Sequence, residues 1–395
     1  MNYILFDDET RLSLLPFTFT RPVSEIRLGI LTIREKWEQY LGQPVSFFTE
    51  EFLREKFPLK IEDDNILING GVLPDAALVK EVGALKPGEK IAGENFLIAA
   101  RIAGHELQSI KSFHHADVSG AKKNTAVQKI IFCWDIFSKN EKGLTEDFHL
   151  LTKGKKSLPV SSTNQVINPE NIFLDEGAKV ECSMLNASGG FIYIGKNAEV
   201  MEGAMIRGPF SLGENAQVKM GAKIYGATTI GPYCRVGGEV SNSVLFGCSN
   251  KAHDGFLGNS VIGEWCNLGA DSNNSNLKNN YSQVKMWNYR EENYVNTGLT
   301  FCGLMMGDHS KCSINTMFNT GTVVGVSANI FGTGFPPKLV PSFSWGGSDG
   351  FKTYRLEEAI EVASRVYERR GKVLDTAEQK ILKNLFNEST KFRSW

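Results

Sequence analysis

An aliphatic residue recurs every six positions through the middle of this 395-residue chain, eight times in succession. These residues are Ile194, Val200, Ile206, Leu212, Val218, Ile224, Ile230 and Val236. Four residues after each comes a second set, in which six of the eight members are Ala, Thr or Cys. A period of six fits neither the 3.6-residue α-helix nor the two-residue alternation of a half-buried strand. It is typical of a parallel β-helix, in which the aliphatic residue of each short strand stacks on its counterparts in neighbouring coils.

The surroundings of the repeat indicate turns and loops. Glycines follow three of the aliphatic residues, at 195, 213 and 231, and suit tight turns. An antiparallel β domain would need regularly spaced hairpin signals, which this segment lacks. The phase breaks after Val236 and resumes at Ile262, so we expect insertions at about 240–260 and about 272–300. Since loops projecting from a solenoid build binding surfaces, the lone His253 is predicted to lie in a site-forming segment.

The composition excludes several classes of function. The formal charge is −1, from 43 basic and 44 acidic residues without long blocks, so we expect no binding to nucleic acid and no attraction to anionic lipid. No apolar run approaches membrane-spanning length and the N-terminus is wrong for a secretory signal, which predicts a cytoplasmic location and no membrane partner. Seven scattered cysteines without a CxxC pair argue against a disulfide framework or a structural zinc site.

The stretches that flank the repeat have different patterns. Residues 1–160 are predicted to form an α/β domain, because short strand-like runs alternate with a helical stripe. A Ser-, Asn- and Pro-rich joint at 158–171 leads into the β-helix, which is expected over 165–345. Over 350–395 the apolar residues recur at helical spacing, and we expect these C-terminal helices to cap the open end of the solenoid.

Around His253 the sequence resembles the hexapeptide-repeat acyltransferases, whose fold is a left-handed parallel β-helix. The stretches IGPYCRVGG, KAHDGFLGNSVIGEWCNLGAD and SNLKNNY are similar to the acetyltransferase half of the bifunctional enzymes that make UDP-N-acetylglucosamine. In that family the general base is a histidine just before an aromatic-Leu-Gly-Asp stretch, a place that His253 takes here. The departures are Asp271 in place of a glycine and Asn259 in place of an aspartate. The whole chain looks most like the variant bifunctional enzymes of some bacteria.

The resemblance implies a chemical role for His253. An amino sugar arrives as an ammonium ion, and imidazole titrates near the pH at which that proton must be removed. His309 lies in an equally polar turn and competes for this role. A backbone N–H of the segment 268–270 would stabilise the oxyanion formed on the acetyl carbon, which implies that Gly269 and Ala270 contact acetyl-CoA.

Further substrate contacts are implied by the same family. Arg235 matches a phosphate-binding arginine and is the first candidate for the sugar phosphate, with Lys251 second because it lies next to His253. Asn276 matches an asparagine near the amino sugar. Lys251 and Asn276 are equally typical of polar surface residues.

The N-terminal stretch FDDETRLSLLPFTFTRPVSEIRLG resembles the signature of sugar-phosphate nucleotidyltransferases, a glycine-rich loop whose backbone N–H groups approach nucleotide phosphates. Asp7, Asp8 and Glu9 replace the glycines, so three carboxylates stand where phosphates would pass. The candidate nucleotide- and phosphate-binding residues are Thr10, Arg11, Arg21 and Arg27.

A Mg²⁺ ion for the nucleotidyl half is implied by the same resemblance. The family strand ends in Gly-Asp, whereas this chain has Asn69 followed by two glycines. Asp135 and Asn140 are the candidate replacement ligands, although Trp134–Asp135 is equally typical of a helix start. Two interpretations stay open for this half: a divergent uridylyltransferase, favoured by three spaced arginines, or a fold that has lost the reaction.

Three classes of function compete for the whole chain. The leading hypothesis is a homotrimeric transferase that acetylates glucosamine 1-phosphate from acetyl-CoA and joins the product to UTP. An acyltransferase for another sugar or sugar nucleotide, with an inactive N-terminal domain, is the nearest alternative. A γ-class carbonic anhydrase is disfavoured because its zinc ion is bound by three histidines, whereas the predicted β-helix contains two. A non-catalytic regulatory or scaffold subunit is the third class.

Overall fold

The fold is described from a computed structural model, which describes residues 1–110, 119–124 and 126–395. The chain divides into two compact units. The first comprises Met1–Ile26, Leu31–Phe132 and Asp375–Ile381, and the second comprises Arg27–Ile30, Cys133–Leu374 and Leu382–Trp395. The predicted fold class is confirmed: a mixed α/β domain, a parallel β-solenoid and a C-terminal helical segment.

The first unit is built on a six-stranded mixed sheet. In spatial order its strands are Ser46–Phe48, Asn2–Phe6, Asp64–Asn69, Leu97–Ala103, Lys90–Ala92 and Lys122–Lys123. The strand Asn2–Phe6 pairs in parallel with both of its neighbours, whereas Leu97–Ala103 runs antiparallel to Asp64–Asn69. The two central parallel strands, Asn2–Phe6 and Asp64–Asn69, end at the same edge of the sheet. Residues 7–11 and 69–71 therefore lie next to each other at that edge.

The helices are short in the first unit and longer toward the C-terminus. The α-helices span Thr10–Ser13, Ile33–Leu41, Ala76–Gly83, Gly104–Leu107, Asp135–Ser138, Asn140–Thr152, Leu356–Glu368 and Thr376–Glu388. The 3₁₀ helices span Phe17–Phe19, Val23–Glu25, Glu51–Leu53, Pro169–Asn171 and Ser389–Phe392. Among the described residues, none of these helices has the length and apolar character needed to cross a bilayer.

The second unit is dominated by a solenoid with three faces, each a sheet whose strands pair in parallel from coil to coil, except that Gly350–Thr353 pairs antiparallel with Ser344–Gly347 at the end of the third face. The first face holds Gln165–Ile167, Met184–Asn186, Met205–Arg207, Lys223–Tyr225, Glu239–Ser241 and Phe256–Gly258. The second face holds Ile172–Leu174, Ile192–Ile194, Phe210–Leu212, Thr228–Ile230, Val244–Gly247, Val261–Glu264, Leu304–Met306, Thr322–Val324 and Leu339–Val340. The third face holds Lys179–Val180, Glu199–Val200, Gln217–Val218, Arg235–Val236, Asn250–Lys251, Asn267–Leu268, Lys311–Cys312, Asn329–Ile330, Ser344–Gly347 and Gly350–Thr353.

The six-residue repeat forms the interior of this solenoid. All eight aliphatic residues of the repeat are at most 2% exposed, and they belong to one continuous core cluster. The small residues four positions later are buried at the corners between faces; Ala198, Ala204 and Ala216 are 0% exposed. The predicted stacking is therefore confirmed, because every third member of the repeat is a Cα partner one coil away, as Leu212 and Ile230 are.

Glycine is needed beside the second face because neighbouring coils pass very close to one another. A Cβ at Gly231 would lie 1.8 Å from the Phe246 carbonyl oxygen, and a Cβ at Gly213 would lie 2.6 Å from the Pro232 nitrogen. Neither glycine has a positive φ. Close approach of backbone, rather than a left-handed turn, is thus what selects glycine at these positions.

One corner of the solenoid has a left-handed residue in almost every coil. The corner between the second and third faces places non-glycine residues at φ between +53° and +61°, which are Asn197, Asn215, Tyr233, Cys248, Trp265, His309, Ser327 and Phe343. Asparagine tolerates this conformation well, whereas bulky side chains seldom adopt it.

The expected insertion at about 240–260 is wrong. The coils continue through this segment without a break, and the change of phase comes from a shorter coil: Val236 pairs with Lys251, 15 positions on, whereas Val218 pairs with Val236, 18 positions on. A deletion and an insertion both shift the phase of the six-residue repeat, so the sequence alone does not distinguish a shorter coil from an inserted loop. The second expected insertion is present, because residues 275–303 leave the coils and contain the antiparallel hairpin of Lys285–Asn288 and Asn293–Asn296.

The C-terminal helix Leu356–Glu368 packs along the side of the solenoid. Ala363 and Tyr367 share a buried cluster with Cys248 and Trp265, and the Trp265 and Tyr367 rings stack with centroids 3.9 Å apart. The expectation that this helix caps the open end is therefore wrong. Its apolar stripe covers the aromatic residues of the left-handed corner, a surface that the hexad pattern does not reveal.

Candidate active site

A cavity of about 680 Å³ lies on the third face of the solenoid. Its floor is a column of outward-pointing residues on successive strands, because Arg235 pairs with Asn250, Asn250 with Asn267, and Asn267 with Lys311. One wall is the corner turn with Ala252 and His253 together with the segment 268–270. The opposite wall is Trp265 with the end of the C-terminal helix, including Val366, Arg369 and Arg370. The volume lies within the range of small-molecule sites.

The lining of the cavity is strongly basic. Five cations line it, namely Lys219, Arg235, Lys311, Arg369 and Arg370, and its described lining includes no aspartate or glutamate. The net charge of the whole chain is close to zero, so this concentration of positive charge is local. Such a cavity favours a ligand that carries several negative charges.

Arg370 is held in place by two hydrogen bonds. It donates one hydrogen bond to the Tyr233 carbonyl oxygen at 2.6 Å and another to Asn250 Oδ1 at 3.1 Å. Partial burial, together with repulsion from the Arg235 guanidinium, lowers the pKa of Arg370. Two guanidinium groups are thus held close together without an acidic partner in the lining, an arrangement that a bound anion would stabilise.

His253 is exposed in the turn between Lys251 and Phe256, and it lines the cavity. The competing His309 has a different environment: it is 8% exposed, has a φ of +61°, and its ring stacks on Tyr367 at 6.1 Å. His309 is absent from the residues that line the cavity. Of the two histidines, His253 has the position that a ligand in this cavity can reach.

Gly269 and Ala270 both line the cavity, but they differ as hydrogen-bond donors. The Gly269 N–H donates to the Cys312 carbonyl oxygen at 3.1 Å and is therefore committed to the coil-to-coil ladder. Within the described residues, no acceptor is recorded for the Ala270 N–H. Ala270 is thus the member of this pair with a backbone N–H open to an oxyanion.

The structure separates Lys251 and Asn276 from the cavity lining. Lys251 is 2% exposed, and its ammonium group donates to the carbonyl oxygens of Gly237, His253 and Asp254 at 3.1, 2.6 and 3.1 Å. Asn276 lies at the start of the inserted segment, where its Nδ2 donates to Asn259 Oδ1 at 2.7 Å. Neither side chain is placed to contact a ligand in the cavity of His253.

At the strand ends of the first unit, the acidic loop residues are bound within the protein. Asp7 Oδ1 accepts from the Val23 N–H at 2.8 Å, and Asp7 Oδ2 accepts from the Thr49 hydroxyl at 2.5 Å. Burial raises the pKa of Asp7 to about 6, although the charge of Arg11 opposes this. Arg11 itself is 5% exposed and donates to the Thr18 carbonyl oxygen at 2.9 Å.

Asp8 forms the centre of a second polar cluster at the same edge. It pairs with Lys129, accepts from Asn69 Nδ2 at 2.8 Å, and accepts from the Thr10 N–H and hydroxyl at 3.0 and 2.5 Å. Burial would raise the pKa of Asp8, but the charge of Lys129 and these hydrogen bonds lower it overall. The carboxylate at this site is thus neutralised by a lysine from a distant part of the chain, which no local pattern in the sequence indicates.

The other residues predicted for the nucleotidyl half do not form one site. Arg21 is 6% exposed in the first unit, whereas Arg27 belongs to the second unit and donates to the Phe246 carbonyl oxygen at 2.9 Å. Asp135 and Asn140 also belong to the second unit. The three candidate arginines are therefore not brought together within the first unit.

Asp135 and Asn140 do not fit a shared Mg²⁺ site. Asp135 pairs with Lys139 at 3.2 Å. Asn140 is fully buried: its Oδ1 accepts from the Gly29 N–H at 2.7 Å, and its Nδ2 donates to the Ala227 carbonyl oxygen at 2.9 Å. The described residues hold no group of three or more His, Cys, Asp or Glu side chains placed to bind a metal.

Several residues of the cavity are not indicated by a local sequence pattern. Lys311 precedes the interior residue Cys312 just as Arg235 precedes Val236, so aligning the coils finds it once the insertion is placed. Arg369 and Arg370 follow the C-terminal helix, far from the repeat in sequence. Only the packing of that helix brings them to the third face.

Residues 3–156 match a family model described as sugar nucleotidyl transferase. No curated protein matches the chain. The predicted resemblance of the N-terminal part to sugar-phosphate nucleotidyltransferases is thus confirmed at the level of the family.

Solved structures similar to this chain share little of its sequence. An Arabidopsis UDP-N-acetylglucosamine acyltransferase is 14% identical over 52% of this chain and 77% of that chain, with a TM-score of 0.26. A hexapeptide transferase family protein from Anaplasma phagocytophilum is 16% identical over 58% and 93%, with a TM-score of 0.17. The polySia-specific acetyltransferase NeuO is 14% identical over 53% and 99%, with a TM-score of 0.23. The solenoid fold is established by the strand pairing and burial of this chain itself.

Proposed function

We propose that the solenoid catalyses transfer of an acetyl group from acetyl-CoA to the amino group of glucosamine 1-phosphate. The observation that carries this proposal is the cavity on the third face, where an exposed imidazole stands among five cations. The sequence around His253, which resembles that of hexapeptide-repeat acetyltransferases, supplies the chemistry. The cations suit both candidate substrates, since each carries phosphate groups.

The reaction needs one proton acceptor and one oxyanion donor. His253 takes a proton from the sugar ammonium group, and the free amine then attacks the thioester carbonyl carbon. The carbon–nitrogen bond forms while the carbonyl oxygen becomes an oxyanion, which the Ala270 N–H is free to meet. The nitrogen then releases its remaining excess proton to solvent, the carbon–sulfur bond breaks to leave the neutral amide, and the CoA thiolate leaves with a proton returned from the imidazolium. No metal is required for this sequence of steps.

Release of free CoA thiol from acetyl-CoA and glucosamine 1-phosphate tests the proposal. We expect His253→Ala to lower kcat at least about 100-fold, the usual contribution of a general base, with little change in KM for acetyl-CoA. His105→Ala, which changes an exposed histidine of the first unit, is the matched control and should leave kcat unchanged. Full activity of His253→Ala would rule out the proposed base, and failure of the wild-type chain to bind acetyl-CoA would favour a scaffold role.

We propose further that the first unit joins the acetylated sugar phosphate to UTP, with Mg²⁺ supplied alongside the nucleotide. The family match over residues 3–156 supports this proposal, as does the polar cluster of Asp8, Asn69 and Lys129 at the carboxyl ends of the central strands. The resemblance to bifunctional enzymes also supports a homotrimer. The uridylyl step is measured as pyrophosphate release from UTP and N-acetylglucosamine 1-phosphate.

A further inference from the structure

A lysine occupies an interior position of the solenoid that the neighbouring coils fill with apolar residues. Lys251 is the Cα partner of Val236, which in turn is the partner of Val218. In the next coil the equivalent residue is Leu268, which is 4% exposed, and Lys251 itself is 2% exposed. A buried charge is costly unless it is fully hydrogen-bonded, so this position calls for a specific set of partners.

The partners of Lys251 are all backbone carbonyl oxygens around the turn of His253. An ammonium group has three N–H donors, and Lys251 Nζ has three acceptors: Gly237 O, His253 O and Asp254 O. The shortest of these bonds, at 2.6 Å, is to His253 itself. Since Gly237 lies on the preceding coil, the ammonium group ties the turn that carries His253 to the coil beside it.

We propose that Lys251 is a positioning residue for His253, acting through the backbone of the turn to hold the imidazole in the cavity. The inference rests on the proposed role of His253 as base, and it replaces direct phosphate binding by Lys251, whose donors are already engaged. An apolar residue would fill the interior equally well, as it does in the coils on either side. The fold does not require a lysine here. What the lysine contributes is hydrogen bonds that fix the carbonyl groups of residues 253 and 254.

Lys251→Met separates positioning from packing. Methionine fits an aliphatic column, and replacing a buried charge by an apolar group of similar volume is often neutral or stabilising. We expect Lys251→Met to fold with an unchanged or higher Tm, to lose at least about tenfold in kcat, and to keep its KM for acetyl-CoA within about twofold. The matched control is Leu212→Met, a volume-conserving change at a fully buried interior position of the solenoid that does not line the cavity, which should retain full kcat.

The pH dependence gives a second readout. Burial lowers the pKa of Lys251 to about 8, against the opposing effects of Asp254, Asp271 and Cys312, the titratable groups that face it. Loss of this proton removes one donor from the turn, so kcat of the wild type should fall as the pH rises through about 8. Lys251→Met should lack this alkaline limb.

Stability should move in the opposite direction over the same range. Because the folded pKa lies below that of the unfolded chain, the folded protein gains stability relative to Lys251→Met as the pH rises from about 8 toward about 10.4. A residue that served packing alone would show this change in stability without any alkaline loss of kcat. Opposite trends in kcat and Tm thus distinguish positioning from packing.

Hydrogen exchange of the peptide that covers residues 252–258 provides a readout independent of activity. We expect exchange in this peptide to be faster in Lys251→Met than in Leu212→Met. If His253→Ala is inactive while Lys251→Met keeps the wild-type kcat, exchange and alkaline limb, the positioning role is wrong and the proposed function stands. If His253→Ala is fully active, the proposed function fails, whatever Lys251→Met does.

Discussion

Asp7 is a buried carboxylate of the first unit whose protonation should be coupled to folding. Burial raises its pKa from an ordinary 3.8 to about 6. The folded chain therefore binds a proton more tightly than the unfolded chain, and the stability linked to Asp7 is lost as the pH rises from about 4 to about 6. Above that range the folded state keeps a charged group out of water.

Asp7→Asn should remove this dependence. The amide can keep both contacts of Asp7, accepting from the Val23 N–H and donating to the Thr49 hydroxyl oxygen. We expect the free energy of unfolding of Asp7→Asn to exceed that of the wild type by roughly 2–3 kcal/mol at pH 7.5, and the difference to vanish near pH 4. Denaturant unfolding at both pH values measures it. The exposed Asp63→Asn is the control, and an equal response in the two variants would contradict this prediction.

At the scale of residues, the sequence predicts what depends on local pattern. The exposed position of His253 could be anticipated from its polar turn, and the interior positions from the six-residue spacing. The environments of Lys251, Asn140 and Lys129 could not, because each side chain is satisfied by groups that are distant in sequence or belong to the backbone. From the sequence alone, a lysine such as Lys251 is predicted to lie on the surface. Only the register of the coils shows that it occupies an interior position.

Among the elements, the C-terminal helix Leu356–Glu368 is the one whose placement matters most for the cavity. It ends beside the third face, where Arg370 contacts the Tyr233 carbonyl and Asn250. We expect Arg370→Gln to raise KM for acetyl-CoA about tenfold or more, because a charge-assisted hydrogen bond contributes about 1.5–3 kcal/mol. The KM for acetyl-dephospho-CoA, which lacks the 3′-phosphate, should change less, because the arginine is then without its proposed partner in both the variant and the wild type.

Arg365→Gln is the matched control, since Arg365 is exposed on the same helix and pairs with Glu361. It should leave both KM values unchanged. A rise in KM for glucosamine 1-phosphate alone would move Arg370 from the CoA phosphates to the sugar phosphate. Steady-state kinetics with the three substrates separates these outcomes.

The sequence predicts the elements of the solenoid better than their irregularities. Eight consecutive hexads predict a parallel β-helix, because a coil with this period buries all eight aliphatic residues of the repeat. The shorter coil near Val236 is not distinguishable from an insertion in the sequence, which shows only that the six-residue spacing shifts there. The amphipathic stripe of Leu356–Glu368 predicts a helix that packs against the solenoid, but it does not specify which surface of the solenoid the helix covers.

For the whole molecule, two compact units with separate sheets and cores predict two separable activities. Lys129→Met breaks the pair with Asp8 and should lower pyrophosphate release from UTP at least tenfold, by removing a charge from the strand ends where nucleotide is proposed to bind. Acetyl transfer by the same variant should stay within about twofold of the wild type. His253→Ala should show the reverse pattern, and parallel loss of both activities in either variant would contradict separate sites.

At the left-handed corner between the second and third faces, the residue type differs between coils that are open to water and coils that are covered. Coils whose edge is open to water, as at Asn197, use the amide residue that the backbone prefers there. Coils that lie under the helix Leu356–Glu368 instead have Cys248, Trp265 and His309 at this corner. Their left-handed backbone conformation is unfavourable, but their side chains pack against the helix. A large aromatic residue at this position thus indicates that the edge is covered by another element, as at Trp265 and Phe343, and in related chains it would mark a docking surface.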